Sequence, residues 1–343
     1  MTVDGIKAEA VTGWLDERVD IAPPLKFEVI PGGRSNLTYR VTDTSGRRWV
    51  LRRPPLHGVL ASAHDVAREY RLMDALQPTA VPVPSLVGLE EDPTVTGGPF
   101  YMMDFVDGLV VRDAEIAREE LDVDGRRAAA WSLVDVLVDL HRVDPDEVGL
   151  DDLAKREDYM ARQLKRWDRQ VREGSPRDLA LLHEVHDRLA ASIPEQGPAT
   201  IVHGDYRLDN LIVSPAGEVR AVLDWELCTL GDPMADLGLL MVYWSESEDE
   251  EVLPLGSSPT TVEGFPTRRE VAERYAERSG RDIGELDYFQ AFGYWKLAGV
   301  LEGVYTRFAA GAYAHEDEGV KAFGQVVLQL GERAAEMVER AGR

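Results

Sequence analysis

A short polar segment, HGDYRLDN at residues 203–210, interrupts two runs of apolar residues. It contains a carboxylate at Asp205 and an amide at Asn210, and a later apolar strand, AVL at 221–223, ends in a third oxygen-bearing group, Asp224. Such groups at the ends of buried strands are typical of functional loops. Asn210 and Asp224 offer the oxygen ligands that Mg²⁺ prefers, and Asp205 can accept a proton from a substrate hydroxyl. Alternatively, these residues form turns, which Asp and Asn commonly do.

The composition is that of a globular protein long enough for two lobes, with 343 residues of which 44% are hydrophobic. The net charge of −24 disfavours binding to nucleic acid or to anionic membrane surfaces. One cysteine, Cys228, excludes an internal disulfide and fits a reducing, cytoplasmic location. The apolar run at 237–244 is too short to span a bilayer, and the first ten residues lack the apolar core of a signal peptide.

Hydrophobic periodicity predicts a change of architecture near Gly108. Residues 25–105 predict the order β-β-β-α-β-β, whereas helical patterns dominate afterwards, except in a β-rich island at 199–224 that contains the polar segment. The segment 245–259 is acidic and then rich in Gly, Pro and Ser, which predicts a mobile loop. The predicted helices cover 3–18, 64–76, 122–142, 152–172, 176–192, 232–244, 268–279, 285–310 and 317–340. Together these patterns predict an α+β fold with a small sheet-rich lobe and a larger helical lobe.

The string HGDYRLDN…LDWE…GDPMADLG resembles the catalytic and metal-binding segments of protein kinases, in the form used by the aminoglycoside phosphotransferase and choline kinase family. Within that family the chain is most similar to bacterial phosphotransferases related to the kinase-like domain of some acyl-CoA dehydrogenases. GGRSNLTYRV, WVLRRPP, AHDVAREYRLMDAL, VPVP and FYMMDFVDG follow in the family's order, so the resemblance covers nearly the whole chain. It implies a protein-kinase-like, two-lobed fold with a nucleotide-binding lobe at 1–105, a helical catalytic and acceptor-binding lobe at 106–343, and ATP between them.

The resemblance also implies roles for individual residues of the polar segment. Asp205 would be the catalytic base, and Asn210 and Asp224 would hold Mg²⁺ on the triphosphate. Arg207 stands where protein kinases place a lysine that meets the transferred phosphate, although it could equally be a surface arginine.

Three further residues are expected to support the site rather than to react. His203 would pin the catalytic loop to the metal-binding segment, as the resemblance implies. Asp232 precedes Pro233 at the start of a predicted helix, which favours an N-cap. Asp236 would tie that helix to the catalytic loop.

The N-terminal lobe departs from the family pattern at its phosphate-binding cation. The strand WVLRR alternates, so Val50 and Arg52 share one face and Arg53 lies on the other. The resemblance implies that Arg52 replaces the usual lysine and that Glu69 is its helix partner. The choice between Arg52 and Arg53 stays open, and a solvated, charged edge strand is the alternative.

Other nucleotide contacts are expected from the glycine-containing turn and from the segment that joins the lobes. In the turn, backbone N–H groups would approach the phosphates. In the joining segment, backbone groups would meet adenine beside a methionine. The alternative for the glycine-containing turn is a simple hairpin turn, and the alternative for the methionine is a core residue. The candidates are Gly33, Ser35, Asn36, Met103, Asp104 and Phe105.

These expectations define an ATP- and Mg²⁺-dependent phosphotransferase that moves the γ-phosphate to a hydroxyl of a small molecule. A hydroxyacyl-CoA, a hydroxy acid or a related small metabolite such as an amino-alcohol ranks before an aminoglycoside-like antibiotic. The alternative is a catalytically inactive, kinase-like nucleotide-binding module, which the missing lysine and the short glycine turn allow. The three residues Asp205, Asn210 and Asp224 favour the enzyme. No nucleic-acid or membrane partner is expected, and the oligomeric state is open.

Overall fold

The computed structural model describes residues 5–30, 36–55, 65–249, 258–309 and 318–342. It divides into two compact units: Met1–Gly108 with Arg220–Glu226, and Leu109–Val219 with Leu227–Arg343. The return of 220–226 to the first unit was not foreseen by the contiguous lobes of the sequence prediction. Its cause is visible at Val222, whose N–H donates to the carbonyl of Pro82 at 2.8 Å.

The first unit is built on a five-stranded antiparallel sheet with strand order β1-β2-β3-β5-β4. Its elements in chain order are α1 (Ala8–Asp16), β1 (Lys26–Val29), β2 (Leu37–Thr42), β3 (Arg48–Arg53), α2 (Val66–Leu76), β4 (Leu86–Glu90), α3 (Pro93–Thr96) and β5 (Phe100–Asp104). The predicted order β-β-β-α-β-β is therefore confirmed, with the short α3 added. The first helix is shorter than the predicted 3–18 in the part of the chain that the structure describes.

Alternation along β3 decides which side chains enter the core of the first unit. Trp49 and Leu51 are buried together with Phe100 and with Trp14 of α1, whose ring meets Phe100 edge-on at 4.9 Å between centroids. Arg52, which follows Leu51, is therefore directed to the opposite face of the sheet. The guanidinium of Arg52 is thereby kept outside the apolar core.

The second unit is mainly helical. Its helices are α4 (Ala114–Glu120), α5 (Val123–Arg142), α6 (Tyr159–Gly174), α7 (Ala180–Ala191), α8 (Met234–Tyr243), α9 (Arg268–Ser279), α10 (Leu286–Ala309) and α11 (Glu318–Arg340). The strands of the β-rich island are β6 (Thr200–Val202), β7 (Leu211–Val213), β8 (Val219–Val222) and β9 (Thr229–Gly231). The sequence patterns missed α4 and β9 and placed the start of α6 too early. Strand β9 was missed because it is three residues long and forms its ladder with the distant β6.

Helices α8 and α10 approach each other closely, which fixes the surroundings of the polar segment. A Cβ added at Gly238 of α8 would lie 2.5 Å from the carbonyl carbon of Phe289 on α10, so only glycine permits this packing. In the predicted loop at 245–259, residues 250–257 lie outside the described part of the chain. Among the described residues, no helix is both long enough and apolar enough to cross a membrane.

Candidate active site

The polar segment forms a loop between β6 and β7. After β6 ends at Val202, the chain turns at Gly204, where φ is +83°, and a 3₁₀ turn at Leu208–Asn210 then leads into β7. A Cβ at Gly204 would lie 2.8 Å from the carbonyl oxygen of Leu227. Glycine is therefore required both for the left-handed backbone and for the close approach.

Asp236 on α8 holds the start of this loop. Its Oδ2 accepts the N–H of His203 at 2.6 Å, and its Oδ1 accepts the N–H of Gly204 at 2.8 Å. The carboxyl group is buried, which alone would raise its pKa, but hydrogen bonds from His141 and from the backbone N–H of Gly204 help bring the pKa below the usual value. An ionised Asp236 thus joins α8 to the loop. At the start of the same helix, Oδ1 of Asp232 accepts the N–H of Met234 at 3.0 Å.

His141 continues the contacts of Asp236 away from the loop, and sequence reasoning missed it. Its Nε2 lies 3.3 Å from Oδ2 of Asp236 and its Nδ1 lies 2.8 Å from the hydroxyl of Tyr275. Burial lowers the pKa of His141, against the opposing effect of Asp236. The ring is therefore held as a neutral hydrogen-bonding bridge between α5, α8 and α9.

Asp205 lies beyond Gly204 with its carboxylate partly open to solvent, at 23% exposure. The amide nitrogen of Asn210 donates to Oδ2 of Asp205 at 2.9 Å and to its carbonyl at 2.7 Å. Nε of Arg207 lies 3.4 Å from Oδ2 of Asp205, within ion-pair distance but without the alignment of a hydrogen bond. Nη2 of Arg207 pairs with Asp209 at 2.9 Å. The structure thus brings together all three predicted residues of this loop, and Asp209 is an ion-pair partner as well as a turn residue.

Tyr243, at the end of α8, is a further neighbour of this group that the sequence did not reveal. Its hydroxyl hydrogen-bonds to Asp205, and the guanidinium of Arg207 lies 4.7 Å from the centre of its ring. Burial, followed by the charge of Asp205, raises the pKa of Tyr243 well above its usual value. Tyr243 therefore stays a neutral donor to the carboxylate.

His203 is fully buried, as expected of a supporting residue. Its Nδ1 accepts the N–H of Asp205 at 3.3 Å, and its ring packs edge-on against Tyr206 with the centroids 5.7 Å apart. This contact is within the catalytic loop itself.

The first unit holds a second charged group centred on Arg52. Its Nη2 donates to Oδ1 of Asp224 at 2.8 Å, and its Nε lies 3.0 Å from Oε2 of Glu69, although that N–H is not aligned as a hydrogen bond. Glu69 also accepts the hydroxyl of Tyr101 at 3.0 Å and the amide of Asn36 at 2.7 Å. Burial raises the pKa of Glu69, and Arg52 opposes that rise. Two hydrogen-bond donors and the guanidinium of Arg52 therefore surround the carboxyl group of Glu69.

Arg53 lies on the other face of β3 and donates to the carbonyl of Thr96 at 2.8 Å. The choice left open by the sequence is therefore decided by the sheet, since Arg52 and not Arg53 reaches Glu69. Burial disfavours the charge of Arg52, but Tyr101, Glu69 and Asp224 raise its pKa. Arg52 is a permanent cation held between two carboxylates.

The turn and joining segment match their predicted roles less closely. The side chain of Asn36 is directed to Glu69, whereas Gly33 and Ser35 lie outside the described residues. The N–H groups of Asp104 and Phe105 already donate to the carbonyls of Ser85 and Arg48, at 2.8 and 3.2 Å. Both N–H groups are thus engaged within the first unit, and a contact of the backbone of Asp104 and Phe105 with adenine stays a prediction.

Met103 is buried in β5 opposite Val50, on the face of the sheet that also presents Arg52. The ring of Phe105 is covered by the guanidinium of Arg48 at 4.5 Å. Arg48 in turn pairs with Asp107, so this end of β3 also has a guanidinium, an aromatic ring and a carboxylate in contact. Arg48, Phe105 and Asp107 line a hollow of about 350 Å³ in the first unit.

Asn210 of the second unit and Asp224 of the first unit each offer an oxygen ligand of the kind that Mg²⁺ prefers. Because the amide nitrogen of Asn210 is directed to Asp205, its Oδ1 is the end that can coordinate a cation. Asp224 has φ of +65°, a left-handed backbone that is unusual for a residue other than glycine, and its side chain is 34% exposed. Among the described residues there is no group of three or more His, Cys, Asp or Glu that could hold a metal. One or two protein ligands completed by phosphate and water suit Mg²⁺.

The antiparallel sheet of the first unit and the H-G-D-x₄-N loop of the helical second unit define a protein-kinase-like fold. The chain belongs to the phosphotransferase enzyme family (APH), which it matches over residues 26–285. A crystal structure from Ralstonia eutropha, with a provisional name as an aminoglycoside phosphotransferase, is similar with a TM-score of 0.79 and 32% identity, over 96% of this chain and 98% of that one. The ethanolamine kinase of Plasmodium vivax shares the fold with a TM-score of 0.63 and 12% identity, over 92% of this chain and 85% of that one.

Curated relatives are longer proteins. Acyl-CoA dehydrogenase family member 10 of Mus musculus is 35% identical over 291 residues, which are 84% of this chain and 27% of that protein. Acyl-CoA dehydrogenase family member 11 of Gallus gallus is 33% identical over 326 residues, which are 93% of this chain and 41% of that protein. The chain therefore spans well under half the length of these relatives.

Proposed function

We propose that this protein is an ATP- and Mg²⁺-dependent O-phosphotransferase that transfers the γ-phosphate to a hydroxyl of a small molecule. The observation that supports this most is the state of Asp205, a partly exposed carboxylate on a loop whose backbone is fixed by buried side chains. Such a carboxylate is held ready to orient and deprotonate a hydroxyl. Membership of the phosphotransferase family supports the same reaction class.

The reaction assigns a task to each residue of the loop. The acceptor hydroxyl gives its proton to Asp205 while its oxygen bonds to the γ-phosphorus and the bond from that phosphorus to the bridging oxygen of ADP breaks. Arg207 offsets negative charge on the transferred group, and Arg52 binds the phosphates. Mg²⁺, when bound, would neutralise phosphate charge, and Asn210 and Asp224 would hold it. Most of the catalysis is positioning and charge neutralisation.

The charges beside Asp205 favour an acceptor that is neutral or anionic. Arg207 lies at the carboxylate and the ammonium of Lys296 attracts it, while Asp209 is already paired with Arg207. A polycationic aminosugar needs unpaired carboxylates for recognition, whereas Asp205 and Asp209 of this loop both have Arg207 as an ion-pair partner. We rank a hydroxyacyl-CoA or hydroxy acid first, because relatives named as acyl-CoA dehydrogenase family members have a segment similar to this chain.

We propose no nucleic-acid or membrane partner, since a net charge of −24 repels both. The one cysteine, Cys228, is buried and fits a cytoplasmic location.

A second candidate, an inactive nucleotide-binding module, is favoured by one observation. Arg52 stands in place of the usual lysine and is already engaged with Asp224, one of the two proposed ligands of Mg²⁺. If this ion pair persists when nucleotide is present, Mg²⁺ cannot use that oxygen.

The test is ADP release with Mg-ATP against a panel of 3- and 4-hydroxyacyl-CoAs, free hydroxy acids, amino-alcohols and aminoglycosides. The wild type is compared with Asp205→Asn and with Asp209→Asn, a matched control on the same loop. We expect turnover with one class of acceptor, a loss of about 10²- to 10⁴-fold in Asp205→Asn, and a much smaller loss in the control. Equal turnover in wild type and Asp205→Asn would refute the assignment of the base. Binding of Mg-ATP with no turnover across the panel would favour the inactive module.

A further inference from the structure

Lys296 is a buried cation that the proposed mechanism does not use. The sequence has six lysines, and among those whose side chains the structure describes, Lys296 is the buried one, at 8% exposure. It lies in α10 between apolar residues, with Trp295 and Leu297 on either side. Lysine is almost never buried without a partner, because its charged form loses hydration. Its position therefore calls for a specific interaction.

The partner of Lys296 is the peptide group next to the proposed base. Its Nζ donates to the carbonyl of Gly204 at 2.8 Å. The same peptide plane ends in the N–H of Asp205, which donates to Nδ1 of His203 at 3.3 Å. Both polar groups of the plane that leads into Asp205 are therefore fixed by side chains.

The two preceding peptide groups are fixed as well, through the N–H bonds of His203 and Gly204 to Asp236. Three consecutive peptide planes thus lack freedom to rotate, and Lys296 supplies the bond closest to Asp205 on the carbonyl side. Because Gly204 has no side chain and a left-handed φ, its backbone would otherwise be the most adaptable part of the loop.

Electrostatics favours the ammonium at this place. Burial lowers the pKa of Lys296, whereas the charges of Asp205 and Asp236 act in the opposite direction. The Nζ also lies 5.5 Å from the centre of the Trp167 ring, a cation–π distance. These neighbours offset part of the cost of burying the charge.

We propose that Lys296 is a positioning residue: it fixes the carbonyl of Gly204 and thereby aims the carboxylate of Asp205 at the acceptor hydroxyl. The catalytic consequence depends on the proposed function, whereas the fixing of the loop does not. Displacement of a reacting group by about 1 Å can lower a rate about 100-fold, so loss of this bond affects turnover more than nucleotide binding.

The variant that tests this is Lys296→Met, which keeps the length and apolar stem and removes the ammonium. Lys296→Gln retains a neutral donor, and Lys165→Met on the exposed face of α6 is the matched control. The first measurement is amide hydrogen exchange followed by mass spectrometry, which requires no substrate. We expect exchange in the peptide that covers 203–210 to accelerate about tenfold or more in Lys296→Met, and exchange in α10 and in the control to stay unchanged.

The second measurement is steady-state turnover on whichever acceptor the wild type uses. We expect kcat to fall about 10- to 100-fold in Lys296→Met with the KM for ATP within twofold, and Lys296→Gln to regain part of kcat. Unchanged exchange in 203–210 would overturn the proposal, and so would accelerated exchange with unchanged kcat. Exchange that rises in α10 rather than in the loop would show a role in packing alone, which also overturns it. A wild type without turnover would refute the proposed function, while the exchange result would still decide whether Lys296 fixes the loop.

Discussion

The ion pair between Arg52 and Glu69 offers a quantitative test of the first unit. The two side chains are 15% and 3% exposed, and Arg52 also pairs with Asp224. The perturbation is a double-mutant cycle of Arg52→Met, Glu69→Gln and the combination. If the two side chains form one buried ion pair, removing one partner lowers the free energy of unfolding because the other is left charged and buried. Removing both partners leaves no such charge and therefore lowers it less.

The magnitudes follow from the contacts. In Arg52→Met, Glu69 keeps the hydroxyl of Tyr101 and the amide of Asn36, so we expect a loss of about 3 kcal/mol in the free energy of unfolding, the lower end for a broken buried pair. In Glu69→Gln, Arg52 keeps Asp224, and we expect a loss of about 1.5 kcal/mol. The double variant leaves neither charge of the pair and should lose only about 2 kcal/mol. Because the two single losses together are about 4.5 kcal/mol, the coupling energy is about 2.5 kcal/mol.

The assay is urea unfolding followed by tryptophan fluorescence, with Arg53→Met in place of Arg52→Met as the control cycle. Arg53 lies in the same strand and is 4% exposed, but its described partners are carbonyl oxygens and not Glu69. We expect additivity within about 0.5 kcal/mol in the control. A coupling below about 0.5 kcal/mol in the Arg52 cycle would refute the inference that Arg52 and Glu69 form one buried charged unit.

Two further predictions concern the catalytic loop and its support. Gly204→Ala places a Cβ 2.8 Å from the carbonyl oxygen of Leu227 at a left-handed φ, so we expect the free energy of unfolding in urea to fall by about 2 kcal/mol and kcat to fall as well. Gly280→Ala is the control, because its φ is also positive but the space around it is open, and it should lose less stability. Equal losses in the two variants would contradict the steric reasoning. Because burial lowers the pKa of His141, the unfolded chain binds the extra proton, and the free energy of unfolding should fall as the pH drops below about 6.5. His141→Asn should flatten this part of the pH profile, and an unchanged profile would show that His141 does not cause it.

The resemblance implies a lysine at position 52, and the contacts of Arg52 give a physical reason for the arginine found there. A guanidinium has donors on several atoms, so Arg52 meets Glu69 through Nε and Asp224 through Nη2 at once. A lysine ammonium is a single point and would have to divide its donors between the two carboxylates. The substitution is therefore compatible with an intact site, and the functional question is whether Asp224 leaves Arg52 for Mg²⁺.

The two families of contacts in the helical unit have different purposes. Asp236 and His203 fix the backbone before Asp205, while Asn210, Arg207 and Tyr243 reach its carboxylate. A carboxylate fixed from both directions loses little orientational freedom when a substrate binds, which suits the role of base proposed for Asp205.

The sequence alone determined the features that depend on local order. Alternation in WVLRR separated Arg52 from the core, and the spacing of Asp205 and Asn210 within one short loop brought them together. The resemblance then supplied their roles, and the family assignment agrees with it. Such features are accessible because strand periodicity and a loop of a few residues leave little choice of geometry.

Only the tertiary structure revealed the residues that meet the loop from a distance. Lys296 lies 92 positions from Gly204, and Tyr275 lies 134 positions from His141. Hydrophobic periodicity places Lys296 and His141 on helices, but it does not indicate which distant residue each of them contacts. The structure likewise shows that Arg52 contacts Glu69, whereas Arg53, on the other face of the sheet, donates to the carbonyl of Thr96. Long-range packing decides which polar groups share a buried space, and local pattern does not contain that information.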